Sequence, residues 1–143
     1  STIIDDSYNA SPAAVEEALE TLKTFPHAKR RIAVLGDMLE LGRYSSMEHE
    51  RVGALAGSSA DVIVAVGIRA RAFAAGKGNA EVMLFDNARA AALALPILVR
   101  AGDVILVKGS QSIRTERIVE ALLANPSDAS LLVRQEREWK RRP

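Results

Sequence analysis

The chain has 143 residues, 48% of them hydrophobic and 26% charged, with a formal net charge of +1; this suits one globular domain with a sizeable core and excludes a disordered class for the main body. Near-neutral charge gives no general drive toward nucleic acid, and 4% aromatic residues leave few platforms for stacking single-stranded bases. Zero cysteines exclude disulfides, thiolate metal sites and cysteine nucleophiles, and no apolar run of about 18 residues or basic-then-apolar leader marks a membrane span or a secretory signal.

The chain starts at Ser1 rather than Met and opens inside an apolar stretch, which reads as a piece cut from a longer polypeptide. Ile3 and Ile4 end a buried strand and run into Asp5-Asp6-Ser7-Tyr8-Asn9-Ala10-Ser11-Pro12, a turn rich in short polar side chains. Ser11 is placed to cap a helix and Pro12 to occupy its first position, with Val15, Leu19 and Leu22 at helical spacing between Ala13 and Phe25. Arg31–Gly36 and Asp61–Gly67 read as strands buried on both faces, Val82–Phe85 as a fourth strand and Val104–Val107 as a fifth. Helices are expected at Met47–Ala56, Ile68–Ala75, Ala88–Arg100 and Ile113–Ala124, with Asp86-Asn87 capping the helix after the fourth strand.

That alternation predicts an α/β domain. Its form is a Rossmann-like open, mainly parallel sheet of about five or six strands, with helices on both faces and right-handed crossovers. The domain spans residues 1–124. Asn125-Pro126-Ser127-Asp128 then break the last core helix, and residues 125–143 form a basic tail. Within that tail, residues 129–140 are either a peripheral helix with Leu131, Leu132 and Trp139 apolar or a partly ordered extension. The loops at Asp5–Ser11, Gly36–Ser46, Gly67, Asp86-Asn87 and Lys108–Ser112 all fall at the carboxyl edge of the sheet, where such folds bind ligands.

Three phosphate-handling readings fail on the residues. Arg71-Ala72-Phe73-Ala74-Ala75-Gly76-Lys77-Gly78 is like a P-loop only by eye, since Arg71 replaces the first Gly and Gly78 the magnesium-binding Ser or Thr. No GxGxxG follows a strand, which removes the usual dinucleotide fingerprint. The chain resembles a response-regulator receiver domain in its βα units, its acidic pair and Lys108, but its third strand ends in Val66-Gly67-Ile68 with no Asp to take a phosphoryl group.

The loops considered as a set do carry a resemblance. Ile4–Pro12, Leu35-Gly36-Asp37-Met38-Leu39-Glu40-Leu41-Gly42, His49 with Val52-Gly53, and Leu106-Val107-Lys108-Gly109-Ser110 closely resemble the C-terminal domain of the Mur ligase family, in the family's order and over roughly residues 3 to 122. The match is to the branch that adds D-alanyl-D-alanine to UDP-N-acetylmuramoyl-tripeptide. The resemblance implies an ATP-dependent, amide-forming ligase of bacterial cell-wall synthesis, working in the cytoplasm as a monomer. In it ATP phosphorylates the tripeptide's terminal carboxylate, and the dipeptide amine then displaces phosphate. It also implies partners that this stretch lacks, a central ATPase domain with the P-loop and magnesium carboxylates, and an N-terminal domain for the UDP-sugar. Alone, the chain is then expected to be inactive and to bind neither ATP nor Mg2+ tightly.

On that resemblance the acidic turn meets the nucleotide. Asp6 accepts from ribose hydroxyls, Asn9 contacts adenine or phosphate, and Asp5 and Ser7 complete the set. Lys108, Gly109 and Ser110 are placed to hold the dipeptide carboxylate through a point charge, exposed amides and a hydroxyl, although Lys108 could equally pair with an acidic residue across the sheet edge. Gln111 stands where the family more often has Arg, which removes any guanidinium contact there. Asp37 and His49 join the dipeptide side. Glu40 suits a solvated turn, and a lone His on a helix is more often structural than catalytic. No second His or Cys lies at metal-ligand spacing. Two other classes stay open on the residues alone, a stand-alone nucleotide-binding module without catalysis and a purely structural or interaction domain.

Overall fold

The computed structural model describes residues 1–5, 11–38, 45–109, 114–124 and 131–134. In chain order these form β1 (Thr2–Asp5), α1 (Pro12–Thr24), β2 (Arg30–Gly36), α2 (Ser45–Ser59), β3 (Val62–Val66), a 3-10 helix (Arg69–Gly76), β4 (Glu81–Phe85), α3 (Ala88–Leu98), β5 (Asp103–Lys108), α4 (Glu116–Leu123) and β6 (Leu131–Arg134). The six strands make one sheet in the order β4-β3-β2-β5-β1-β6, and every pairing is parallel.

Two-residue alternation along the strands sorts the side chains into two apolar layers. Ile4, Ala33, Leu35, Ile63, Ala65, Val104 and Leu106 face α1, α2 and the 3-10 helix, where Leu19, Leu22, Val52 and Phe73 close the layer. On the other face Ile3, Ile32, Val34, Val64, Ile105 and Val107 meet Ala91 and Leu95 of α3 and Ile118 and Leu122 of α4. The helix starts follow from sequence. Ser11 Oγ accepts from the Ala14 amide at 3.3 Å with Pro12 next to it, and Asn87 Oδ1 accepts from the Ala90 amide at 2.9 Å.

Two elements differ from the sequence expectation. Leu131–Arg134, expected in a peripheral helix or a loose extension, instead pair in parallel with β1, in register Thr2↔Leu131 to Asp5↔Arg134. Without β6, β1 would be an edge strand with unpaired amides and carbonyls. The segment after β3 is a 3-10 helix packed closely against α2. A β-carbon on Gly53 would overlap the Phe73 carbonyl oxygen, and one on Gly57 the Lys77 carbonyl oxygen.

At the amino edge of the sheet, arginines tie the strands to the helix ends. Arg30 donates from Nε and Nη2 to the Asp103 carboxylate at 3.1 and 2.7 Å, and also to the Leu98 carbonyl. The hydrogen bond that Arg30 donates to Asp103 outweighs desolvation and raises the Arg30 pKa. Arg31 donates to the Leu22 and Phe25 carbonyls at the end of α1, a favourable place for a cation, and its amide is taken by Asp61.

Gly53→Ala should destabilise the fold by about 1–3 kcal/mol through overpacking. The sign is opposite to the gain of about 1 kcal/mol that Ala usually brings to a helix interior. Urea unfolding of wild type and variant measures it.

Candidate functional site

The connections of the sheet diverge between β2 and β5. Chain leaving β2 crosses to β3 over the face that holds α1 and α2, whereas chain leaving β5 crosses to β6 over the face that holds α3 and α4. A crevice at the carboxyl ends of such a strand pair is where open parallel sheets bind ligands. Lys108 lies in register with Leu35 of β2, and Asp5 with Val107 of β5, so both sequence-assigned residues end central strands at this crevice. Gly109 follows Lys108 there. A β-carbon on Gly109 would press on Thr115 Cγ2 at 2.6 Å and reach Gly36 Cα at 3.5 Å, so the exits of β2 and β5 and the start of α4 meet at these two glycines. Asp6, Ser7, Asn9 and Ser110, the remaining assigned residues, lie outside the described residues, as do Glu40 and Gln111.

Asp37 and His49 are brought to the same edge but turned inward. Asp37 is only 5% exposed. Its Oδ1 accepts from the Ala70 amide at 2.5 Å, placing negative charge at the amino end of the 3-10 helix. Its own amide donates to the Val66 carbonyl at 3.1 Å. Gly67, at φ +112°, makes room for this carboxylate, because a β-carbon there would stand 2.5 Å from Asp37 Oδ1.

His49 is wholly buried. Its Nε2 lies 2.9 Å from the Met38 amide, which can only donate, so Nε2 is the acceptor. Nδ1 then carries the proton and donates to the Ser45 carbonyl at 2.6 Å. The imidazole is therefore neutral in this arrangement, with both nitrogens engaged, and its ring packs on Phe73 at a centroid distance of 5.0 Å. The sequence placed Asp37 and His49 among dipeptide contacts; in the structure their polar atoms hold protein backbone.

Two features escaped the sequence reading. One is the Gly67–Asp37 fit, signalled only by a glycine directly after a strand. The other is Thr115, fully buried just before α4, whose hydroxyl has no hydrogen-bond partner among the described residues. At the rim, Asp86 forms an exposed ion pair with Arg71 at 2.5 Å. No group of three or more His, Cys, Asp or Glu side chains among the described residues could hold a metal ion. No helix among them is long and apolar enough to cross a membrane.

Comparison with known proteins points one way. The family described as Mur ligase, glutamate ligase domain, matches residues 1–111. The chain is 33% identical to the UDP-N-acetylmuramoyl-tripeptide--D-alanyl-D-alanine ligase of Mycobacterium tuberculosis (strain CDC 1551 / Oshkosh), covering 91% of this chain and 30% of that one. It is 36% identical to the ligase of the same name from Escherichia coli (strain K12), over 86% of this chain and 27% of the relative. Among solved structures, MurF ligase from Thermotoga maritima in complex with ADP aligns with a TM-score of 0.71 at 32% identity, over 86% of this chain and 28% of that one. MurF from Acinetobacter baumannii aligns at 0.72 and 29%, over 82% and 27%. The chain thus spans under a third of the length of these relatives.

Thr115→Val, which keeps the shape and removes the unpartnered hydroxyl, should raise stability by about 1 kcal/mol. Thermal unfolding with a midpoint no higher than that of wild type would contradict this.

Proposed function

Because the chain belongs to the Mur ligase family through that family's glutamate ligase domain, we propose that it is the C-terminal part of an ATP-dependent ligase of peptidoglycan synthesis. That ligase joins D-alanyl-D-alanine to UDP-N-acetylmuramoyl-tripeptide by an amide bond. The observation that carries this reading is the identity of 33 to 36% with ligases of that name across 86 to 91% of the chain. The partners are then the central ATPase and N-terminal domains of the same polypeptide, in a cytoplasmic monomer. Magnesium belongs to those other domains.

The division of roles follows the crevice. Asp5, at the end of β1, starts the turn whose Asp6, Ser7 and Asn9 face the nucleotide, with Asp6 accepting from the ribose hydroxyls. ATP supplies the phosphoryl group that activates the tripeptide carboxylate. Lys108, Gly109 and Ser110 hold the dipeptide's carboxylate, leaving its amine directed at the activated carbonyl, while Asp37 and His49 set the wall beside them. Support comes from the register that ends Asp5 and Lys108 on neighbouring central strands, and from the ADP complex of the Thermotoga maritima relative.

In the intact ligase polypeptide, Lys108→Met should raise KM for D-alanyl-D-alanine by about ten-fold or more, the worth of a charge-assisted hydrogen bond, with KM for ATP unchanged. Asp6→Ala should do the reverse. Steady-state phosphate release with each substrate varied in turn reads both; an unchanged KM for the substrate assigned to a residue removes that residue from its site.

A further inference from the structure

We propose that His49 is a positioning residue for the dipeptide site, acting through the Met38 amide on the exit of β2. The inference rests on the ligase reading above and goes beyond it, because a wholly buried imidazole with both nitrogens engaged has no atom to offer a substrate. The path from His49 to the crevice is short and made of backbone. Nε2 holds the Met38 amide, Nδ1–H holds the Ser45 carbonyl in the first turn of α2, and the residue before Met38, Asp37, holds the Ala70 amide. Both ends of the connection from β2 to α2, and the start of the 3-10 helix after β3, are thereby cross-linked. Gly36, next in the path, abuts Gly109, so the exit of β2 is one wall of the place where Lys108 and Gly109 end β5.

The imidazole itself is fixed from behind. Its ring lies on Phe73, and Phe73 is seated by the close approach of its backbone to Gly53 in α2. With α2 and the 3-10 helix locked together, a side chain at position 49 that lacks an acceptor leaves a buried Met38 N–H unpaired. The strand exit then has to move to find another partner. The displacement reaches Gly36 and Gly109 before any other part of the crevice. Asp5, which ends β1, is separated from β2 by β5, so ATP binding should be spared.

Two amide side chains separate the two nitrogens. Gln at position 49 places a carbonyl oxygen near Nε2 and keeps the acceptor for Met38, while Asn places its amide near Nδ1, keeps the Ser45 bond and gives up Met38. In the intact ligase, His49→Asn should raise KM for D-alanyl-D-alanine about ten-fold, one buried hydrogen bond's worth. KM for ATP should stay within about two-fold, a factor too small to represent a lost hydrogen bond. His49→Gln should restore the dipeptide KM to near wild type. If His49→Asn does not fold, His49→Phe, which keeps the ring on Phe73 and removes both nitrogens, takes its place with the same expectation. An unchanged dipeptide KM, a parallel rise in both KM values, or Gln performing no better than Asn overturns the positioning role while leaving the ligase reading intact. A wild-type ligase that releases no phosphate in response to D-alanyl-D-alanine overturns both.

Discussion

A parallel sheet that is apolar on both faces can keep polar chemistry only at the ends of its strands, and this constraint organises the molecule. Ile3, Val34, Ile105 and Val107 on one side and Ile4, Leu35, Ile63 and Leu106 on the other are packed under the helices and offer no polar group along the middle of the sheet. The two edges are treated differently. At the amino edge Arg30 and Arg31 pair with the Asp103 carboxylate and with helix carbonyls, and Asp103 takes the Arg100 amide as well. At the carboxyl edge the chain leaves β2 and β5 in opposite directions, and the strand ends carry Asp5 and Lys108.

At the carboxyl edge, buried polar side chains pin the exit of β2 and the start of the 3-10 helix. Asp37 and His49 have apolar surroundings in which an unpaired polar atom would cost about 1–3 kcal/mol, so each fixes the amide that it accepts from. Glycines make these contacts possible. Gly67 yields space to the Asp37 carboxylate, and Gly109 lets the end of β5 approach both Gly36 and Thr115. Strand exits held in place by buried polar side chains are preorganised for a small charged ligand.

Much of this was legible in the residues. Ser11-Pro12 and Asn87 announced helix starts that the structure confirms, and apolar runs ended by Gly36 and Gly67 located β2 and β3. The four loop blocks pointed to the Mur ligase family, which the family match then showed. The errors have physical causes. Leu131-Leu132-Val133-Arg134 sits in a charged tail, and its strand state depends on an open edge of β1 that no local pattern reveals. The 3-10 helix packs on α2 through Gly53 and Gly57, a contact between segments that no local pattern reveals. For Asp37 and His49 the edge was readable, whereas the amides that they hold, those of Ala70 and Met38, left no signal in the local sequence.

The central claim is that the carboxyl edge is the working edge of this domain. Hydrogen–deuterium exchange of the intact ligase, with ATP and UDP-N-acetylmuramoyl-tripeptide present and D-alanyl-D-alanine added or withheld, tests it directly. Added dipeptide should slow exchange in peptides covering residues 34–38 and 106–109, and leave those covering 25–30 and 99–103 unchanged. Protection confined to the amino edge, or none in this domain at all, would contradict the account.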